Sequence, residues 1–361
     1  MQHTPDGTEV VATRNEAMAL AIPPLLVVDA VIEFLDAHGL GTGGLLWERI
    51  GDGQSNVTYR LERGREEFVL RRGPRPPISK STHDMVREAR IQRLLREEGI
   101  PVPEILAVCE DVSVLGVPFY VMSFLDGIVV TDAIPASLNE PHERRATSLA
   151  AVDTLAMLHD VDVTKGEISR LGRPDGYLRR QVERFSSLWS AYTQRDMPEV
   201  ARIGTWLADN MPASQRASVV HGDFRAGNLM FAAGPPARVT AILDWEMATL
   251  GDPLADLGYF TATYAEPGSR VTPLELTSVT REPGYLTRQE LIEEYHRRQP
   301  HLCLEPLPWY QALALWKAAI FCEDIYTRWL RGERPGDMFA PTLEAGVPAL
   351  LERARAFAGG E

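Results

Sequence analysis

The sequence predicts an α+β chain in two lobes: a small antiparallel β-sheet lobe with one helix, then a larger, mainly helical lobe. Three observations carry that prediction. β-forming apolar runs punctuated by turn residues crowd the stretch from Trp47 to Phe124, with one helical segment among them. Helical stripes dominate from Arg144 onward. Between Val219 and Asp244 a single hairpin pattern interrupts the helical half and carries polar side chains at its ends. The expected partition is a loose N-terminal arm over residues 1–24, a first lobe over 25–124 and a second over 125–361.

The elements follow in order. Val27 to His38 has apolar residues at helical spacing and stops at Gly39, a short packing helix. Trp47 to Arg72 reads as two or three antiparallel strands, the first pair joined by the small-residue turn Ile50 to Asn56. Ser81 to Glu98 is a helix that opens on a Ser81-x-x-Asp84 capping pattern, shows Ile91, Leu94 and Leu95 on one face, and ends at Gly99 and Pro101. Val112 to Phe124 supplies two further strands around Gly116, completing a five-stranded sheet. The run Tyr120 to Leu125 is the expected linker out of it.

The second half is helical: Arg144 to His159, Tyr177 to Tyr192, Pro198 to Asn210, and, after the hairpin, a helix capped by Asp252 with Pro253 at its first position. His159 is expected to cap its helix. Thr287 to Arg298 starts from a Thr287-x-x-Glu290 box. Pro308 to Arg331 is a long helix whose aromatics, Trp309, Trp316, Phe321, Tyr326 and Trp329, are mostly expected in the core, with Glu323 and Asp324 on a solvated face.

Composition narrows the function. The chain has 361 residues and a net charge of -13, from 50 acids against 37 bases, without a basic cluster, which argues against a nucleic-acid partner. No apolar run approaches the ~18 residues of a membrane span, and no signal-peptide core opens the sequence. Cys109, Cys303 and Cys322 are scattered, without metal spacing, as in a reducing compartment. The expectation is a soluble, cytoplasmic protein.

The hairpin carries the chemistry. His221-Gly222-Asp223 follows two apolar β-formers, Asn228 comes five residues after Asp223, and the second strand ends on Asp244. Phosphoryl transfer needs this set of groups: a carboxylate to orient and deprotonate a hydroxyl, and oxygen ligands to hold Mg²⁺ on the phosphates. Single Asx residues at strand ends are usually turn formers. Three in this order on one hairpin point to a site.

The segments HGDFRAGNLMF and ILDWEMATLGDPLADLG resemble the aminoglycoside phosphotransferase and choline kinase-like family, small-molecule kinases built on the protein-kinase fold. The aromatic helix ending in TRWLRGE looks most like the kinase domains that occur beside acyl-CoA dehydrogenases. The resemblance implies a two-lobed protein-kinase-like fold, with ATP (or GTP) as co-substrate and a small-molecule hydroxyl acceptor. It makes Asp223 the catalytic base and Asn228 and Asp244 the Mg²⁺ ligands. Gly53, Ser55 and Asn56 fall in the phosphate-binding turn, and main-chain groups from Met122 to Phe124 on an adenine edge. Arg71 stands where the family has a phosphate-binding Lys, and Glu88 on the following helix would hold it. His221 would brace the loop and Asp256 would accept hydrogen bonds from its backbone. Two rival readings stay open: a nucleotide-binding pseudokinase, suggested by Arg71, and a metal-dependent hydrolase using His221, Asp223 and Asp244.

Overall fold

The computed structural model describes residues 8–51, 56–76, 83–193, 195–269, 271–334 and 336–359. The chain divides into two compact units, Met1–Asp126 and Gly127–Glu361.

The first unit opens with β1 (Val10–Val11), α1 (Arg14–Met18), β2 (Leu26–Val27) and α2 (Val28–Ala37). Residues 10–18 are therefore not the loose arm expected from their polarity. Thr13 and Glu16 form a reciprocal capping box at α1, and β1 pairs in parallel with β2, which buries Val11 against Val31 and Leu35. The sheet proper contains β3 (Leu45–Ile50), β4 (Val57–Arg63) and β5 (Glu66–Arg72). After α3 (Met85–Glu97) come β6 (Ile105–Cys109), α4 (Val112–Leu115) and β7 (Phe119–Ser123). Its five strands run β3-β4-β5-β7-β6 and pair antiparallel throughout.

Two expectations are corrected here. The run from Val112 is one helical turn, capped by the Asp111 side chain on Ser113 N–H and closed by Gly116 at φ 79°. The strand expected there lies instead at Ile105–Cys109. The cap of α3 is Asp84, which accepts the Arg87 N–H; Ser81 lies outside the described residues. The period-2 pattern of β7 sends Phe119 and Val121 to the core shared with α2, and Tyr120 to the core shared with α3.

The second unit begins with β8 (Ile128–Val129), α5 (Pro141–Asp160), α6 (Tyr177–Tyr192) and α7 (Pro198–Asp209). The hairpin region follows as β9 (Ser218–Val220), β10 (Leu229–Phe231), β11 (Val239–Ile242) and β12 (Thr249–Gly251). Last come α8 (Leu254–Thr263), α9 (Arg288–Arg298), α10 (Leu307–Leu330) and α11 (Leu343–Phe357). β10 and β11 form the predicted hairpin, with Leu229 opposite Ile242, and β9 pairs with β12. α10 is the hub: it packs on α8 so closely that a Cβ added at Gly258 would lie 2.6 Å from the Tyr310 Cβ. Of its aromatics, Trp309, Trp316 and Tyr326 are core residues, whereas Phe321 is 57% exposed. Among the described residues no helix is long and apolar enough to cross a membrane.

Candidate active site

In the first unit, Arg71 at the end of β5 lies opposite Tyr120 of β7. Its Nε is 3.0 Å from Glu88 Oε1. Glu88 sits on α3, 2% exposed, and also accepts the Tyr120 hydroxyl at 3.0 Å. Gln92 Nε2 in turn donates to that hydroxyl at 3.1 Å. Burial, then the Glu88 charge, push the Tyr120 phenol well above its ordinary range, so it stays a neutral donor. A buried carboxylate is tolerated only with such partners, and these fix the Arg71 side chain against α3.

Asn56 is buried, and its Oδ1 lies 2.8 Å from His83 Nδ1. Gly53 and Ser55, expected in the same phosphate-binding turn, lie outside the described residues. Met122 is corrected: it sits within the sheet, opposite Val69 on one side and Ile105 on the other. Its main chain therefore belongs to the ladder, and Ser123 N–H is taken by Glu104 O. Phe124 is the first residue beyond the strand, its ring covered by the Arg60 guanidinium at 4.8 Å.

In the second unit the catalytic stretch is a turn hung from a helix. His221 N–H and Gly222 N–H donate to the two oxygens of Asp256, at 2.7 and 2.8 Å. Gly222 has φ 89° and an added Cβ would lie 2.9 Å from the Met247 Cβ, so the turn needs glycine. His221 is fully buried. Its Nδ1 accepts the Asp223 N–H at 3.2 Å, so Nε2 carries the proton and donates to Leu243 O at 2.9 Å. Both ring nitrogens are occupied, which removes His221 as a metal ligand and with it the hydrolase alternative. Among the described residues no three His, Cys, Asp or Glu side chains form a metal cage.

Asn228 closes the turn. Its Nδ2 donates to Asp223 O at 2.8 Å and to Asp223 Oδ2 at 2.7 Å. With the amide nitrogen so engaged, the oxygen is the Asn228 atom left to face a cation. Leu243 N–H donates to Asn228 O at 2.8 Å, which brings Asp244, in the left-handed region at φ 65°, next to the end of the turn. An amide oxygen and a carboxylate fit a hard divalent ion.

Sequence reasoning missed three contributors. His159 is a buried bridge and not a helix cap: Nδ1 accepts the Tyr295 hydroxyl at 2.7 Å, and Nε2 lies 3.4 Å from Asp256 Oδ2. Burial alone would raise the Asp256 carboxyl. The His159 contact and the Gly222 N–H outweigh it and hold Asp256 below the usual carboxylate range. Tyr259, one turn along α8, hydrogen-bonds Asp223, and burial followed by that charge raises its phenol far above normal. Arg225 Nε lies 3.6 Å from Asp223 Oδ2. The i, i+3 spacing of Asp256 and Tyr259 on one helix was the only sequence signal for any of them.

A profile of the phosphotransferase enzyme family matches residues 46–301. The chain belongs to that family. Acyl-CoA dehydrogenase family member 11 of Gallus gallus is 37% identical over 319 residues, 84% of this chain and 40% of the relative. The chain thus spans well under half the length of such relatives. A crystal structure of a candidate aminoglycoside phosphotransferase from Ralstonia eutropha superposes with a TM-score of 0.77 at 27% identity, covering 92% of this chain and 98% of that one. A thermostable aminoglycoside phosphotransferase mutant in ternary complex with AMP-PNP and hygromycin B shares the fold, at TM-score 0.57 and 17% identity, over 90% of this chain and 98% of that one. Its β-sheet unit and helical unit are those of the family's kinase-like fold.

Proposed function

We propose that this phosphotransferase moves the γ-phosphoryl group of ATP or GTP to a hydroxyl of a small molecule, with Mg²⁺ on the nucleotide and Asp223 as base. The observation that carries the reading is the Asn228 contact with Asp223. It holds the base carboxylate by an N–H while leaving an oxygen for a cation beside Asp244. Asp223 orients the acceptor hydroxyl and takes its proton. Asn228 and Asp244 hold the metal, which when bound neutralises phosphate charge. Arg71, kept in place by Glu88, grips phosphate oxygens bidentately where an ammonium would act as a point charge. The first unit is assigned to the nucleotide, with main-chain groups at Phe124 on the base, and the second to catalysis and the acceptor.

The neighbour holding AMP-PNP and hygromycin B supports a nucleotide and a second small molecule bound together. Aminoglycoside-like and hydroxyacyl-type acceptors are both compatible with the family. Three free cysteines accord with a cytoplasmic location, and the acidic chain with the absence of nucleic-acid and membrane partners.

Asp223→Asn tests the assignment. Acceptor-dependent ADP release should fall by at least about 10³-fold while magnesium–nucleotide binding persists. Full activity in that variant removes Asp223 as the base. Arg71 in place of Lys favours one other reading, a nucleotide-binding scaffold without transfer. Steady ADP release that depends on an added acceptor excludes it.

A further inference from the structure

We infer that Arg225 sorts acceptors by charge, favouring a hydroxylated acceptor with an anionic group near its reacting oxygen and disfavouring polycations. The inference rests on the phosphotransferase reading, which brings the acceptor hydroxyl to Asp223.

Arg225 is held beside the base by construction. Its Nε is 3.6 Å from Asp223 Oδ2, with 21% of the side chain exposed. The guanidinium folds back over the turn Ala226–Asn228, where a Cβ added at Gly227 would come 2.1 Å from Nη1 and 3.5 Å from Thr277 Oγ1. Glycine at that position makes the room. At rest the guanidinium is balanced by Asp223. When Asp223 takes the acceptor proton, that balance is lost, because Arg225 cannot give up its own proton. What remains beside the acceptor is a cation. An ammonium brought to the same place is repelled and a carboxylate or phosphate is drawn in, more strongly than in water because the site is partly buried.

The helical unit leans the same way. The acids of α10 are poorly placed to receive a cationic acceptor: Glu323 is fully buried on Arg195, and Asp324 lies 4.0 Å from Arg328. The same helix carries Lys317, its ammonium 4.9 Å above the Phe185 ring. Among the described residues it has no ion-pair partner. α10 packs on α8, which carries Asp256 and Tyr259.

Arg225 has one competing role, neutralising the phosphoryl group in flight. That role would help every acceptor alike, so the test turns on a ratio. ADP release is measured for the wild type, Arg225→Lys and Arg225→Gln with glycerate, glycerol and 3-aminopropane-1,2-diol at constant ionic strength. The expected order of kcat/KM in the wild type is anion, neutral, cation. The anion-to-cation ratio of kcat/KM should fall by about 10-fold in Arg225→Gln and survive in Arg225→Lys. An unchanged ratio in Arg225→Gln, or a wild type that prefers the amine or accepts only kanamycin, overturns the inference and leaves the phosphotransferase reading standing. No acceptor-dependent release from any of these compounds counts against both.

Discussion

Asp256 receives the main-chain N–H of His221 on one carboxylate oxygen and that of Gly222 on the other. The turn that presents Asp223 is thereby fixed to the first turn of α8, and Asp256 is fixed in turn by His159. His221 and Asp256 are fully buried, so the His221 N–H has no water to fall back on, and the carboxylate is the means by which the turn keeps its shape.

Asp256→Asn should therefore cost about 1–3 kcal/mol of stability, because one of the two N–H groups then faces an amide NH₂. Activity should fall further than stability alone explains. The pH dependence has a definite sign. Asp256 is depressed in the native state, so its contribution is complete above the unfolded value of ~3.9 and is lost as pH falls through the lower native value. The stability gap between wild type and Asp256→Asn should be widest near neutrality and narrow below that value. Urea titrations across pH 2.5–7 measure it; a gap that does not change with pH would be wrong for this network.

Glu88→Gln addresses the first unit. The glutamine keeps an oxygen for the Tyr120 hydroxyl but removes the charge that holds Arg71. A charge-assisted hydrogen bond is worth about 1.5–3 kcal/mol, so the nucleotide KM should rise by roughly 10- to 100-fold, with a smaller effect on the acceptor KM. Steady-state kinetics with each substrate varied in turn separate the two. A selective rise in the acceptor KM would remove Arg71 and Glu88 from the nucleotide site.

Much of this site was legible in the sequence, and the misses share a cause. The hairpin, the Thr287–Glu290 capping box and the helix from Tyr177 to Tyr192 are local patterns, and local patterns show in one chain. The expected Asp256 role also follows from a motif within forty residues of the base. His159 and Glu323 were misread because their partners are distant in sequence: Asp256 lies 97 residues from His159, and Arg195 lies 128 residues from Glu323. Helical periodicity says which face a residue occupies, not what it meets there. The turn at Val112 was misread for another reason. β-branched residues suggested a strand, but the Asp111 cap and the Gly116 stop outweigh propensity over so short a run. The expected linker from Tyr120 to Leu125 overlapped the last strand because a strand boundary is the least certain part of any such reading, and the ladder runs through Met122 to Ser123.

The Glu323–Arg195 pair makes a stability prediction away from the chemistry. Glu323 accepts from Arg195 Nε at 3.0 Å and from the Thr193 hydroxyl at 3.0 Å, with the guanidinium over the Tyr326 ring. Removing Arg195 strands the Glu323 carboxylate in a dry place. Arg195→Ala should cost about 3–5 kcal/mol, whereas replacing both partners by apolar residues should cost much less. Chemical denaturation of the two single variants and the double variant reads the coupling. Additive losses would mean that the pair is not buried as a unit.

Lys317 reverses the usual direction of pH dependence. Burial, with the nearby Arg184 charge, brings its ammonium down to about 8, although Asp256 pulls the other way. An unfolded lysine titrates at ~10.4. Between these values the unfolded chain binds this proton more tightly than the native one, so stability from this residue rises with pH across that window. Below about pH 8 both states are charged, and the native state bears the cost of burying an ammonium that lies over an aromatic face and, among the described residues, has no ion-pair partner. Lys317→Met should then be more stable than the wild type at pH 7, and its advantage should shrink as pH approaches 10. Thermal unfolding followed at pH 7, 8, 9 and 10 gives the comparison directly. A methionine variant that is less stable at pH 7 would mean that the ammonium is held by a favourable partner, and that α10 does not carry an uncompensated cation.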